Sequence, residues 1–579
     1  MILKALYDYY DRCGEDIAPL YMAYVNFCYA IVISENGDFL GLEKLGENGL
    51  PILTFRPEER TSSPVAHCMG DNGAYVLGLK DLKEEAKVET EFKKNSKNHK
   101  AFVESINDAY VNIPNNKYIK AIHLFYKKYD SEVRQAILAD ANWIDCSKYL
   151  QKNFTFRIKG ETKLAVEQID IIDERIRSIE NNNPEKICLI TGKTGKPVDT
   201  TYSTFIVGGK SNGKLVSFQI SSGYDSYGKE KGFNATISEE AEFKYTTALL
   251  KMLARDSHNK FMIGDRTFVF WASSNSEACK EAEMSLFDFL GFADADKDNP
   301  NARIEQVRKV FKSIYSGTLK STSEDKFYIL GLAPNSARIA VVYWSETTLK
   351  DFAFMITQHF DDMEIIDTRQ NKRPYSGLKD MLGAVTLGGK HTDATPNLPD
   401  AVVKSIFQGL PYPQTLFASA IRRIRAEQDV TPYGNPCRMA IIKAYLNRLN
   451  DNNKKIKTML DKENNNQGYL CGRLFAVLDK IQQDANHINS IQERYMNSAS
   501  ATPATVFATI LNLSSHHSEK LNEGAKIFYE KLKQEIISKL PADGFPTHLD
   551  IQDQGRFFVG FYHQRQDLFT SKKEENITE

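Results

Sequence analysis

The stretch "GRLFAVLDKIQQDANHI", residues 472–488, decides the fold of the C-terminal part of the chain. Its apolar residues recur at the spacing of one helix face, as seen at Leu474, Val477, Leu478 and Ile481. Such a helix is stable when other elements cover that face. The stretch therefore predicts a helix that packs among others.

Stretches of the same kind surround it. Helical spacing also marks "LFASAIRRIRAEQ" (416–428), "CRMAIIKAYLNRLN" (437–450) and "AKIFYEKLKQEIISKL" (525–540), and Asp550 is a candidate N-cap for a last helix. A polar, proline-bearing tract, "GGKHTDATPNLPD" (388–400), precedes this region. We therefore predict an all-helical bundle over residues 396–579.

The N-terminal part is mixed. Strand-like text occurs at "AYVNFCYAIVIS" (23–34), "AYVLGL" (74–79), "STFIVGG" (203–209) and "LVSFQI" (215–220), with helical text from about 85 to 180. Further on, "KFYILGLAPNSARIAVVYW" (326–344) predicts a hairpin that turns at Pro334, Asn335 and Ser336. The fold class predicted is α+β, with domains at 1–237, 238–395 and 396–579.

Length, charge and cysteine content limit the kind of protein that the chain can be. A chain of 579 residues needs more than one core. Lys and Arg number 74 against 75 acids, so nucleic-acid binding would require a local patch. The sequence suggests no targeting peptide and no membrane span. Eight cysteines without a CxxC pair favour reduced thiols. We expect a cytoplasmic protein.

Catalytic and cofactor motifs are weak. Neither "CLITGKTGKPV" (188–198) nor "GGKSNGK" (208–214) has the spacing of a Walker phosphate loop. His359 in "HFDDM" and His516 in "SSHHSEK" lack the spacing of a metalloprotease helix. We predict no catalytic residue, metal or cofactor, and keep a metal-dependent nuclease or hydrolase around these two histidines as the alternative.

The loop "SYGKEKGFNATISEEAEF", residues 226–243, runs into a helix that begins after Ser238. Glu239 and Glu240 compensate the positive end of that helix, which disfavours an anion bound there. Lys229 and Lys231 can still project from the glycine-bent loop towards an anionic partner. Asn234 carries the donor and acceptor that an adenine edge requires. A solvated turn is an equally good interpretation.

A second basic segment lies in the predicted bundle. Arg422, Arg423 and Arg425 fall within one helical turn, where their guanidinium groups could bind phosphates. A solvated helix face is an equal alternative.

A family resemblance adds to these patterns. The chain carries in order "SYGKEKGFNATISEEAEFKYTTAL" (226–249), "IGDRTFVFWA" (263–272), "GLPYPQTLFASAIRRIRAE" (409–427), "SASATPATVF" (498–507) and "GRFFVGFYHQR" (555–565). Together with "DNGAYVLGL" (71–79), these motifs resemble the large subunit of the type I-C CRISPR interference complex, Cascade. The similarity spans nearly the whole chain.

The resemblance implies a non-catalytic role in antiviral defence. Such a subunit lies at the 5′ end of the CRISPR guide RNA beside backbone and guide-capping subunits. It contacts the protospacer-adjacent motif in double-stranded target DNA, promotes unwinding, stabilises the R-loop and recruits a helicase-nuclease. Its helical part resembles the small subunit that lines the displaced single strand. Separate small subunits would be translated internally, from Met439 or Met459.

The resemblance also ranks the site residues. Asn72, between Asp71 and Gly73, is the first candidate for reading the flanking motif, although a self-satisfied turn asparagine is about as good an interpretation. Lys229, Lys231 and Asn234 are the candidates for duplex contact. Candidates for backbone contact along the displaced strand are Arg422, Arg423, Arg425, Arg473 and Arg494. Glu58 and Glu59 stand before Arg60 where basic residues are expected, which argues against phosphate contact there.

Overall fold

The chain forms two compact units. The computed structural model describes residues 1–60, 63–80, 88–178, 183–218, 225, 227–290, 302–336, 338–367, 376–428, 436–449, 455–488 and 490–569. The first unit comprises Met1–Phe205, Lys210–Lys251 and Ser336–Ile339, and the second comprises Ile206–Gly209, Met252–Asn335 and Ala340–Glu579. The three-domain division made from the sequence stays a prediction.

A five-stranded sheet organises the first unit. Its strands are β1 (Met22–Ile33), β2 (Phe39–Lys44), β3 (Leu50–Phe55), β4 (Asp71–Asn72) and β5 (Asn153–Ile158). The order is β2-β1-β5-β4, with β3 paired to the first half of β1. Only the β1–β5 pairing is parallel among these strands. A further two-stranded sheet joins β6 (Lys186–Ile187) and β7 (Thr194–Gly195).

Helices precede, separate and follow these strands along the chain. From the N-terminus to residue 253 they are α1 (Ile2–Cys13), α2 (Gly73–Val76), α3 (Val88–Lys94), α4 (Ser96–Asn112), α5 (Lys117–Lys127), α6 (Ser131–Leu138), α7 (Trp143–Cys146), α8 (Ile169–Ser178) and α9 (Glu239–Leu253). Phe27 and Ile31 of β1 and Phe154 and Phe156 of β5 are buried in one core with Phe125 of α5. Strands this apolar are typical of a sheet whose residues are buried on both faces.

The second unit begins with an antiparallel sheet. Its strands are β8 (Lys260–Ile263), β9 (Arg266–Ala272), β10 (Lys326–Asn335) and β11 (Arg338–Thr348), which pair in the order β11-β10-β9-β8. The first two residues of β11, Arg338 and Ile339, are assigned to the first unit. Its first helices are α10 (Glu277–Phe289), α11 (Ala302–Ser316), α12 (Leu349–Met363), α13 (Leu378–Ala384), α14 (Leu398–Gln408), α15 (Gln414–Glu427) and α16 (Pro436–Leu449). The predicted hairpin of two strands is confirmed, but Pro334 and Asn335, predicted in its turn, belong to β10, and Ser336, with a φ of 55°, follows them.

The predicted bundle is also confirmed. It continues with α17 (Gln467–Asn486), α18 (Ser490–Ala501), α19 (Pro503–Ser518), α20 (Glu523–Ile537) and α21 (Ile551–Phe569). The backbones of α17 and α21 touch where they cross. A Cβ atom added at Gly472 would lie 2.0 Å from the carbonyl oxygen of Phe557, and one added at Gly560 would lie 2.3 Å from that of Tyr469. Only glycine fits such a crossing.

Three strand predictions are wrong. Residues 74–79 do not form a strand, because Asn72 caps the short helix α2 and Gly73 turns the chain into it. Residues 203–209 and 215–218 form loops, and a turn hydrogen bond from the Gly209 N–H to the Ile206 carbonyl oxygen at 3.0 Å holds the first of them. Residues 219 and 220 of the third prediction lie outside the described residues.

Within the described ranges, no helix combines the length and the apolar character that a bilayer span requires.

Candidate nucleic-acid interface

Asn72 lies at the end of β4 and directly before α2. Its Oδ1 accepts a hydrogen bond from the Ala74 N–H at 3.1 Å, which caps the helix. Its amide nitrogen has no hydrogen-bond partner among the described residues. The side chain is half-buried. It therefore serves the turn with its oxygen and keeps two N–H donors for an external acceptor.

Asp71 holds the chain in front of Asn72. Its fully buried carboxylate accepts hydrogen bonds from the Arg60 guanidinium, from the His67 N–H at 3.0 Å and from the Asn72 N–H at 2.7 Å. The Arg60 guanidinium also lies 3.9 Å from the centre of the Tyr75 ring. A partly buried ion pair thus fixes the backbone on which Asn72 stands.

The two acids before Arg60, Glu58 and Glu59, contact other residues of the first unit. Glu58 pairs with Arg175, and Glu59 accepts hydrogen bonds from the N–H and the hydroxyl of Ser203 at 2.7 and 3.0 Å. The Lys214 ammonium lies 3.4 Å from the Glu59 carboxylate. Both acids therefore stabilise the fold, and they add negative charge where a phosphate contact would need the opposite.

The sheet places a second asparagine beside the first. Asn153 on β5 lies directly opposite Asn72, so the two side chains leave the same face of the sheet. The Asn153 amide nitrogen donates to the Asn26 carbonyl oxygen at 3.2 Å, which leaves its own oxygen as an acceptor. Lys152 next to it is exposed. Asn153 and Lys152 were not predicted from the sequence, because no local pattern reports a pairing between distant strands.

The lysine loop is held by Asn234. Its amide nitrogen donates to the carbonyl oxygens of Lys229 at 2.9 Å and Lys231 at 3.2 Å, and to the Asp225 carboxylate at 3.2 Å. These bonds use the donors that reading an adenine edge would require. The expected role of Asn234 as a base reader therefore does not fit this structure, and we assign it a structural role in the loop.

The two lysines of the loop differ in exposure. Lys229 is exposed and Lys231 is half-buried, and neither ammonium group has a partner among the described residues. The backbone at Lys231 has a φ of 46°. The next residue, Gly232, packs against residue 198, since a Cβ added at Gly232 would lie 2.0 Å from the Val198 carbonyl oxygen. Tight packing therefore fixes the backbone at Lys231 and Gly232.

The start of α9 offers few donors to an anion. The Glu239 N–H donates to the Lys196 carbonyl oxygen at 3.0 Å, and the Ala241 and Glu242 N–H groups donate to Ser238. These bonds, together with the acidic first turn, disfavour a phosphate at this helix end.

The bundle arginines separate into two groups. Arg422 on α15 and Arg494 on α18 are exposed, without a partner among the described residues. Arg423 pairs with Glu427, and Arg425 donates to the Ser500 hydroxyl at 3.2 Å while burial lowers its pKa. Arg422 and Arg494 therefore offer the better contacts for a nucleic-acid backbone.

Arg473 does not fit the role expected from the sequence. Its side chain is fully buried and donates to Gln564 and to Glu535, both at 3.0 Å. A side chain inside the bundle cannot reach a displaced strand without unfolding the helix, so we do not carry this residue into the proposed interface.

The histidines of the alternative do not form a catalytic arrangement. His359 is fully buried and its Nδ1 lies 2.6 Å from the Tyr412 hydroxyl, while Asp362 on the same helix binds Arg448 at 2.7 Å. His516 is exposed on α19. In the ranges that the structure describes, no group of three His, Cys, Asp or Glu side chains could hold a metal ion. Nothing described here favours the alternative.

Acidification is expected to destabilise the second unit through His359 and His563. Burial holds the pKa of His359 well below its usual range and lowers the pKa of His563 to about 3. In the unfolded chain each histidine binds a proton near pH 6.5. Their contribution to stability is therefore complete above this pH and is lost as the pH falls towards the folded pKa. At pH 5.5 each of the two histidines therefore lowers the free energy of unfolding by about 1.4 kcal/mol.

Urea unfolding at pH 7.5 and 5.5 measures this loss. In a Trp143→Phe background, the remaining tryptophans, Trp271 and Trp344, both report on the second unit. His359→Gln and His563→Gln should each reduce the difference between the two pH values by about 1.4 kcal/mol. The exposed His516→Gln should leave it unchanged. If His359→Gln or His563→Gln kept the full difference in unfolding free energy between pH 7.5 and 5.5, that histidine would not be held neutral in the folded protein.

The fold and the sites together define an α+β protein with an amide-bearing sheet end, a lysine loop and a helical bundle that exposes arginines. The family model described as CRISPR-associated protein (Cas_Csd1) matches residues 6–569, so the chain belongs to this family. A comparison with curated proteins found no match. Membership makes the chain a CRISPR-associated protein of the Cascade type, which confirms the coarser part of the resemblance.

Proposed function

We propose that the chain is the large subunit of a type I-C Cascade complex, acting in the cytoplasm without catalysis of its own. It recognises the protospacer-adjacent motif in double-stranded DNA, promotes unwinding, stabilises the R-loop and recruits the helicase-nuclease. In such effectors the guide RNA reads the target by base pairing, and protein reads only the short flanking duplex. Family membership supports this proposal.

The observation that carries the proposal is the pair of amides at the sheet end. Asn72 offers N–H donors and Asn153, directly opposite, offers an acceptor oxygen. A base edge in a DNA groove presents donors and acceptors in adjacent positions, so neighbouring groups of opposite kind suit it. The Asp71–Arg60 ion pair orders the backbone beneath Asn72, which reduces the entropy lost when the amide is used.

The proposed partners follow from the same role. They are the guide RNA, the target duplex, the displaced strand, the backbone and guide-capping subunits, and the helicase-nuclease. Arg422 and Arg494 are the proposed contacts for the displaced strand.

Internal translation would add separate small subunits to this assembly. Met439 lies inside α16 and is buried, so a product that starts there would begin within a helix. Met459 is exposed in the segment before α17. A start at Met459 would keep α17 to α21 whole, and the structure therefore favours it over Met439 as the proposed start.

Asn72→Ala in the assembled complex should reduce discrimination between duplexes with and without the flanking motif. A side chain paired correctly to a base edge contributes roughly 1–3 kcal/mol, which corresponds to about a 5- to 150-fold loss of preference. Competition binding with the two duplexes measures it. Unchanged discrimination would remove Asn72 from the interface.

Asn72→Ser is the matched control for the cap. A serine hydroxyl can accept the Ala74 N–H bond but lacks the amide donors. If the serine variant loses discrimination as the alanine variant does, the amide reads the DNA. If the serine variant keeps discrimination, the loss in the alanine variant comes from the helix cap.

A further inference from the structure

Three cations from separate parts of the first unit line one cleft. Lys214, Lys231 and Arg338 surround a volume of about 310 Å³ together with Ser217 and Asn234. No aspartate or glutamate is among the described residues that line it. Of these three cations, only Lys231 was predicted from the sequence as a contact, since the other two lie 17 and 107 positions away from it.

Backbone contacts build the cleft. The Ile339 N–H donates to the Lys214 carbonyl oxygen at 3.2 Å, and Lys214 and Arg338 form a parallel bridge. On the opposite wall, the Lys231 N–H donates to the Asp225 carboxylate at 3.2 Å, and Asn234 closes the loop as described above. The cations are therefore brought together by the fold and do not lie on flexible chain ends.

The charge of the cleft suits a small anion. The Lys214 ammonium donates to the Thr201 carbonyl oxygen and lies 3.4 Å from Glu59, which compensates part of its charge. The Asp225 carboxylate accepts hydrogen bonds from the Lys231 N–H and from the Asn234 amide, so one carboxylate lies beside the cleft without lining it. The described side chains that line the cleft itself are nevertheless cationic or uncharged. A backbone phosphodiester, which carries one negative charge, meets no carboxylate among them.

We propose that this cleft holds one backbone phosphate of the target duplex, bound by Lys231 and Arg338 and oriented by Lys214. The proposal rests on the proposed function and names the ligand of its lysine loop. A phosphate held this way fixes the position of the duplex without reading its sequence. Lys229, which does not line the cleft, would contribute only long-range attraction.

The test uses the assembled complex with its guide RNA. Lys231→Ala, Arg338→Ala and the double variant are compared with Lys210→Ala, an exposed lysine outside the cleft. Binding of a motif-bearing duplex is measured between 50 and 200 mM salt. Loss of one phosphate contact should reduce the slope of log K against log salt by about 0.9. The slope of the double variant should fall by about the same amount, since both cations bind one phosphate.

Several results would overturn the proposal. Wild-type slopes in the cleft variants would show that the cations do not bind the duplex. Additive losses in the double variant, of about 1.8, would show two separate phosphates. A lower yield of guide RNA from the purified variants would assign the cleft to RNA. The Lys210→Ala slope should match the wild type, and an equal loss there would show a diffuse charge effect.

Neutral phosphates locate the contact on the DNA. In a series of duplexes with one methylphosphonate each, one position near the flanking motif should weaken binding of the wild type but not of the double variant. No such position would contradict the proposal. If the cleft fails these tests while Asn72→Ala still loses discrimination, the proposed function stands alone. If even the wild type shows no motif preference, the proposed function fails independently of the cleft.

Discussion

Gly472→Ala is expected to destabilise the second unit by about 3 kcal/mol or more. Overpacking a core commonly costs about 1–3 kcal/mol when side chains can move aside. At Gly472 the obstacle is backbone, since the new Cβ would lie 2.0 Å from the Phe557 carbonyl oxygen and 2.8 Å from the Phe561 nitrogen. The helices α17 and α21 would have to separate, which would also loosen the buried side chains around their crossing.

Urea unfolding in the Trp143→Phe background measures this effect. Gly524→Ala on α20 is the matched control, since its added Cβ would meet only the Asn522 side chain at an ordinary 3.6 Å. That substitution should be neutral or stabilising, by up to about 1 kcal/mol, because alanine is the better helix former. If both variants unfolded at the same urea concentration as the parent, the close crossing of α17 and α21 would be wrong.

Asp71→Asn is expected to cost the first unit roughly 3 kcal/mol. Removal of one partner from a buried ion pair costs about 3–5 kcal/mol, and the lower value applies because Arg60 keeps 27% of its side chain exposed. The asparagine can still accept one N–H bond, so the loss is chiefly that of the charge opposite Arg60. The backbone in front of Asn72 should loosen, and discrimination of the flanking motif should fall with it.

Hydrogen exchange over residues 63–80 localises the effect. A loss of about 3 kcal/mol corresponds to roughly a 150-fold faster exchange where opening limits it. Asp173→Asn, at an exposed position on α8, should leave exchange unchanged. Arg60→Met in the Asp71→Asn background should recover part of the loss, because no unpaired charge then remains. Unaltered protection in Asp71→Asn would show that the ion pair does not hold this segment.

Periodic patterns predicted the helices of the bundle correctly. Leu474, Val477 and Ile481 are all fully buried, as their spacing indicated. The hairpin of β10 and β11 was also predictable, because turn residues stand between two apolar arms. In both cases the local pattern and the tertiary packing favour the same structure, so neither competes with the other.

The errors arose where a single side chain changes the local outcome. Residues 74–79 have strand-like composition, but the Asn72 cap and the tight placement of Gly73 favour a helix. In the candidate site, Asn72 was predicted from its turn, whereas Asn153 depends on strand pairing. Arg473 and Asn234 were assigned outward roles from their residue types and from the family resemblance. Their hydrogen bonds to Gln564 and to the lysine loop come from tertiary contacts that the sequence pattern does not report.

The pairing of β4 with a strand far along the chain has a consequence for the order of events during protein synthesis. Asn72 lies opposite Asn153, 81 positions later in the chain, and β5 continues to Ile158. While the ribosome is still translating the helices between them, β4 lacks the strand with which it pairs in the sheet. The amide pair can therefore form only after β5 has left the exit tunnel, and a nascent chain shorter than this should carry Asn72 without its partner.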